Sequence, residues 1–159
     1  MGEKKGRRGR RSGCPLNASV EILGDRWSLL IVRDMMLLGS ETFTEFLDSY
    51  EGIATNVLAD RLRRLEGHGI ITTERDRKDG RKQICRLTEK GIDLAPVLTE
   101  MVLWAAAHEE TENAALVREM RRDREGFLAG IRRRWEERGG RGRGRIEMSK
   151  SSGVQKLKS

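Results

Sequence analysis

The sequence predicts a mainly α-helical fold with one small β-hairpin, an α+β arrangement. Three observations predict it: two helical patterns split by a glycine between Phe43 and His68, two strand-like runs split by a charged turn between Ile70 and Thr88, and an almost wholly apolar helical run upstream of both. In that order they describe a helix, a tight turn, a second helix and a wing, which is a winged helix-turn-helix.

The chain opens with two helical runs, Leu16 to Leu23 and Trp27 to Leu38, joined at Gly24 and Asp25. The second is apolar nearly throughout, so it should be the central core helix. Trp27, Met35 and Met36 are expected to fill that core, and Met101 further on to do the same. Phe43 to Leu47 is a short helix, ended by the break at Glu51, Gly52 and Ile53. Ala54 to His68 follows, with Gly69 as its stop and His68 as its C-terminal cap. Leu58, Leu62 and Leu65 recur at spacings of four and three, so they share one buried face. At about 100° per residue the opposite face holds Asn56, Asp60 and Arg63, with Ala59 and Arg64 at its margins. A helix with an aliphatic spine and a short polar face can enter a major groove.

Ile70 to Arg75 begins β-branched, and Gln83 to Thr88 alternates apolar and polar residues. Both read as strands. Between them Asp79-Gly80 is a hairpin turn signal, and the turn carries Arg77, Lys78, Arg81 and Lys82 against Asp76 and Asp79. Such a basic tip suits phosphate or minor-groove contact.

Thr88 offers an N-cap for a helix reaching Glu110, and Pro96 should kink or restart it. Leu94, Val97, Leu98, Met101, Val102, Trp104 and Ala105 cover too wide an arc for one domain contact, so part of that surface calls for a partner. A last helical run, Thr111 to Arg138, is expected to break near Gly126 and Gly130 and to be buried against a second subunit, giving a twofold dimer through the N- and C-terminal helices.

These residues resemble the HxlR family of bacterial transcriptional regulators, relatives of the MarR group. The resemblance covers roughly Cys14 to His108. It is carried by Cys14-Pro15-Leu16, Ile22 to Trp27, Phe43 to Phe46, Gly52-Ile53, Leu58 to Leu65, His68 to Ile70, and Leu87 to Gly91. It implies a winged-helix homodimer bound to double-stranded DNA at a pseudo-palindromic operator. It also implies that Cys14, in its Cys-Pro context, is a candidate sensor of oxidants or electrophiles. Arg7, Arg8, Arg10 and Arg11 precede it, and their positive field suits a reactive thiolate. The wing departs from the Pro-rich form frequent in the family, and Asp60 stands where a neutral polar residue is common.

Charge is distributed unevenly along the 159 residues, whose formal net charge is +7. Residues 1–13 and 139–159 each carry six Lys/Arg against one Asp/Glu, whereas residues 14–50 carry two against six and residues 51–90 ten against seven. The stretch with the reading helix and wing is therefore the basic part of the folded region, as counterion release from DNA requires. The expected organisation is a disordered basic arm (1–13), the winged domain (14–110), a helical dimerisation extension (111–138) and a disordered Gly-rich basic tail (139–159).

No apolar run is long enough to span a membrane and none follows the basic start as a signal peptide would, so a cytoplasmic protein is expected. Cys14 and Cys85 make no disulfide framework, and Cys85 should be buried and inert. No catalytic constellation, metal-ligand spacing or phosphate-binding loop is present, so neither an enzyme nor a cofactor is expected. The candidate DNA-contacting residues are Thr55, Asn56, Ala59, Asp60, Arg63, Arg64, Arg77, Lys78, Arg81 and Lys82. Two other classes fit the same residues: a non-specific nucleic-acid or nucleoid-associated protein led by the Arg-Gly tails, and a winged-helix module for protein interaction.

Overall fold

The computed structural model describes residues 12–49 and 51–139. The arm and tail expected at 1–13 and 139–159 lie outside the described residues, apart from Ser12, Gly13 and Gly139. The chain runs α1 (Pro15–Leu23), α2 (Ser28–Arg33), a π-helical turn (Asp34–Leu38), α3 (Phe43–Leu47), α4 (Thr55–Gly67), β1 (Ile71–Arg75), β2 (Gln83–Leu87), α5 (Glu89–Ile92), α6 (Ala95–His108), α7 (Ala114–Arg122) and α8 (Arg124–Gly139). The strands pair antiparallel, with Ile71 opposite Leu87 and Arg75 opposite Gln83.

The expected central helix is present but does not stay α-helical to its end. Its last turn widens to π geometry from Asp34, and Ile31, Val32, Met35, Met36 and Leu37 are buried along it. Against it pack Phe46 of α3, the Leu58, Leu62 and Leu65 spine of α4, Ile71 and Cys85 of the hairpin, and Ile92. Buried among these is Asp34, 2% exposed. Arg33 donates to its Oδ1 from Nε and Nη2 at 2.9 and 2.7 Å, and to Glu51 from Nη1 at 3.0 Å. Burial pushes the Asp34 carboxyl above the usual carboxylate range, against the pull of Arg33 and a hydrogen bond from Ser49.

Between α1 and α2, the Asp25 carboxylate accepts hydrogen bonds from the Trp27 and Ser28 amides at 2.9 and 3.0 Å and from the Ser28 hydroxyl at 2.5 Å. This satisfies free donors at the start of α2. Partial burial opposes the Asp25 charge, but these bonds and the nearby Arg61 outweigh it and hold the carboxyl below its ordinary value of 3.8.

Pro96 sits in the first turn of α6, so the downstream helix does restart there: α5 is a single turn capped by the Thr88 hydroxyl. One expectation is corrected further on. The final run breaks at Asp123 and not at Gly126 or Gly130, because the Asp123 carboxylate turns back to accept from the Gly126 amide at 2.9 Å and so starts α8. The extension also packs on its own chain. Val117, Met120, Phe127 and Ile131 are buried within the same chain, all but Val117 in its core cluster.

Polar contacts fasten α8 to the winged domain. Trp135 Nε1 donates to the Leu87 carbonyl at 2.9 Å, and Arg86 Nη1 donates to the Arg138 carbonyl at 3.3 Å. Arg138 Nη1 donates to the Met35 carbonyl in the π-helical turn at 3.1 Å, and its guanidinium fills the space beside Gly39 that a side chain could take only by displacing it.

Two outcomes are expected from these contacts. Arg138→Ala leaves the Met35 carbonyl short of a donor and should cost roughly 1–3 kcal/mol in urea unfolding. The Asp25 carboxyl is depressed in the folded state, so its stabilisation is complete above its ordinary value and is lost as pH falls through the lower folded one. Asp25→Asn should therefore be less stable at neutral pH and lose stability less steeply than the parent protein between about pH 5 and 2, measured by denaturation at stepped pH.

Candidate nucleic-acid interface

The two helices of the helix-turn-helix are set by local chemistry. Thr42 caps α3 through a capping box: its hydroxyl accepts from the Glu45 amide at 3.3 Å, and Glu45 Oε2 accepts from the Thr42 amide at 3.0 Å. Gly52 turns the chain into α4 with φ of 67°, and Gly69 turns it out with φ of 70°. Both values lie in the left-handed region, where a side chain would be strained.

Along α4 the buried spine leaves Thr55, Asn56 and Arg63 exposed, with Ala59 and Asp60 half-buried beside them. These five expected contact residues thus form one face. Arg63 Nε donates back to the Ala59 carbonyl at 3.3 Å, and its guanidinium lies 4.0 Å from Asp60. Asp60 also lies 3.8 Å from Arg61, which in turn lies 3.5 Å from Asp25. A chain of alternating charge therefore runs from the α1–α2 turn to the exposed face. Arg61 Nε and Nη1 are buried within it and meet no acceptor at hydrogen-bond geometry among the described residues. Arg64 is placed differently from the other five: Nη2 donates to the Glu21 carbonyl of α1 at 3.5 Å, so its side chain leans toward that helix.

The wing tip is a seven-residue loop, 76–82, longer than the dipeptide signal suggested. Lys82 donates to the Asp79 carbonyl and Asp76 to the Lys82 carbonyl, each at 2.9 Å. The Asp76 and Asp79 carboxylates accept from the Lys78 and Arg81 amides at 2.8 and 3.2 Å. Gly80 has no positive φ, so the turn does not use the mirror-image geometry that favours Asp-Gly in two-residue hairpins. Arg77, Lys78 and Lys82 are exposed without an ion-pair partner among the described residues, while Arg81 pairs with Asp79 at 3.2 Å.

Sequence reasoning missed what holds helix and wing together. The Ile70 amide donates to the Leu65 carbonyl at 2.9 Å and the Thr88 amide to the Ile70 carbonyl at 3.0 Å. The Thr88 hydroxyl donates to the Gly69 carbonyl at 2.5 Å, the Thr73 amide to Glu66 Oε1 at 2.9 Å, and Lys90 Nζ to the His68 carbonyl at 2.6 Å. Gly91 completes the join, because a β-carbon there would stand 2.2 Å from the Ile70 oxygen. A further segment extends the hairpin on its other edge: the Cys85 amide donates to the Glu41 carbonyl at 2.7 Å, and Thr42 bridges Ile84. No periodicity marks a single bridge.

Cys14 is exposed and sits at the N-cap of α1, whereas Cys85 is buried, and that burial pushes its thiol pKa up. No helix is long and apolar enough to cross a membrane, and no metal-binding cluster occurs, among the described residues.

Comparison with known proteins agrees with this architecture. Over 93 residues the chain is 34% identical to the HTH-type transcriptional regulator YodB of Bacillus subtilis, covering 58% of this chain and 82% of that one. Over 88 residues it is 34% identical to the HTH-type transcriptional regulator sll1512 of Synechocystis, covering 55% of this chain and 64% of the relative, just under two thirds. Among solved structures, the redox regulator HypR in its oxidized form superposes with a TM-score of 0.54 at 25% identity, over 62% of this chain and all of that one. The reduced form of YodB gives 0.51 at 33% identity, over 61% and 95%. Residues 22–113 match the profile described as HxlR-like helix-turn-helix, more than half of the chain, and the protein belongs to that family.

Proposed function

We propose that the protein is a sequence-specific DNA-binding transcriptional regulator that acts as a homodimer on a pseudo-palindromic operator. The observation that carries this reading is the exposed face of Thr55, Asn56, Ala59, Asp60 and Arg63 on a helix fastened directly to a wing with three cations unpaired among the described residues. The family and its transcriptional regulators support it. In this reading α4 enters the major groove, with Asn56 suited to adenine and Arg63 to guanine. Arg77, Lys78, Arg81 and Lys82 hold phosphate or minor groove. Arg64, turned toward α1, contributes charge near the backbone instead of reading bases.

Dimerisation is inferred from apolar surface left exposed among the described residues. Leu16 and Val20 of α1 and Val97, Met101 and Trp104 of α6 are exposed, Leu16 at 72% and Trp104 at 64%. An apolar groove of about 230 Å³ runs between α2 and α6. Apolar surface of this kind marks an interaction site. The interface is assigned to α1 and α6, since α7 and α8 are spent within their own chain. The N-terminal position of Cys14, exposed at the head of α1, makes it the candidate redox or electrophile sensor, and the structural likeness to the redox regulator HypR favours that role.

Selection from random duplexes should return a palindromic consensus with half-sites about 10 base pairs apart. A pool without consensus would favour the non-specific reading. Arg63→Ala should weaken consensus binding by about 1–3 kcal/mol and relax one position per half-site, whereas Lys82→Ala should weaken all sequences alike and flatten the salt dependence. Light scattering should report a dimer that Trp104→Glu converts to monomer; an unchanged mass would move the interface elsewhere. Diamide should lower operator affinity in the parent protein and leave Cys14→Ser unaffected, and an equal loss in both would remove Cys14 from the switch.

A further inference from the structure

Beneath α8 lies a partly open cavity of about 100 Å³. Its walls come from the π-helical turn (Met35, Met36), from β2 (Cys85), from α8 (Trp135) and from Ser40 in the segment that leads to α3. The lid, α8, lies beyond the residues that match the family, so the enclosure belongs to this chain's own extension. Ser40 is 8% exposed, and its hydroxyl, which keeps some accessible surface, has no hydrogen-bond partner among the described residues. That hydroxyl can donate to, or accept from, a molecule that enters the cavity.

We propose that this cavity binds a small neutral alcohol, its hydrocarbon part against the sulfur-rich and aromatic walls and its hydroxyl on Ser40. Size limits the ligand: a cavity of ~150 Å³ takes a benzene ring, so this one encloses about four heavy atoms and lets one or two more protrude. Charge limits it too. The cations at the rim are already engaged, Arg86 with Glu41 and Glu74 at 3.3 and 2.9 Å and Arg138 with the Met35 carbonyl. An anionic ligand would have to break those contacts, whereas a neutral one displaces nothing. Thioether, thiol and indole surfaces are polarisable and take up apolar groups of irregular shape. The Cys85 thiol, with its pKa pushed up by burial, serves as wall and not as nucleophile.

The test is a titration of the full chain, carrying ¹³C-methyl methionine, with isobutanol. The Met35 methyl resonance should shift saturably while that of Met101, exposed on α6, stays in place. Ser40→Ala should weaken isobutanol roughly two- to tenfold, the effect of one neutral hydrogen bond. The same variant should not weaken isopentane, which has the same skeleton with a methyl group for the hydroxyl. Isobutyrate should give no saturable shift. The proposal is overturned by a Met35 response that fails to saturate up to roughly 50 mM, which would mean water alone occupies the cavity. It is equally overturned by a shift shared with Met101, by an indifferent Ser40→Ala, or by isobutyrate binding as well as the alcohol. The readout involves no DNA, so failure of the regulator reading leaves this result standing.

Discussion

The hydrogen bonds between the end of α4 and the base of the hairpin hold the geometry on which the rest depends. A reading helix and a wing can engage one duplex only if their spacing is fixed before they meet it. Here the Leu65 carbonyl receives the Ile70 amide, the Ile70 carbonyl receives Thr88, and the Thr88 hydroxyl reaches Gly69 while also capping α5. One threonine thus ties helix end, strand end and the next helix start. Gly91 permits this crowding, since the Ile70 oxygen occupies the space a side chain would need. The His-Gly-Ile and Leu-Thr-Glu-Lys-Gly runs that carry the family likeness are in this sense structural before they are functional.

Much of this was legible in the sequence because it is periodic or punctuated. The leucine spine of α4, the β-branched start of β1, the Thr88 cap and the Pro96 restart all follow from spacing and from residues with one strong local preference. What escaped is partly non-local. Arg64 belongs by helical angle to the margin of the exposed face, and only the proximity of α1 draws it to the Glu21 carbonyl. Asp123 broke a helix where two glycines were the stronger local signal, because a carboxylate that can accept from an amide three residues on starts a new helix outright. The π-helical turn likewise leaves no mark in an apolar run that would suit either helix type.

The core shows where a small domain draws extra cohesion. The segment matched by the family supplies the central helix, the leucine spine and the hairpin, and α7 and α8 then add Met120, Phe127 and Ile131 to the same cluster. A buried carboxylate at Asp34 is tolerated because Arg33 approaches it with two nitrogens and is itself tied to Glu51 in the turn of the helix-turn-helix. Buried ion pairs add little net stability over an apolar replacement, whereas removing one partner leaves an uncompensated charge. Here the groups joined are the core helix and the turn before α4.

The bond from Arg138 to the Met35 carbonyl spans 103 residues of chain. Contacts so distant in sequence form late, after the entropy of closing a long loop has been overcome. On the ribosome, where the N-terminal part appears first at about 5–20 residues per second, the winged domain emerges several seconds before the helix that completes its core. During that interval Met35, Met36 and Cys85 lack their cover, and the nascent chain presents apolar surface that the finished protein conceals. The C-terminal extension therefore sets when, during synthesis, this part of the apolar surface is covered.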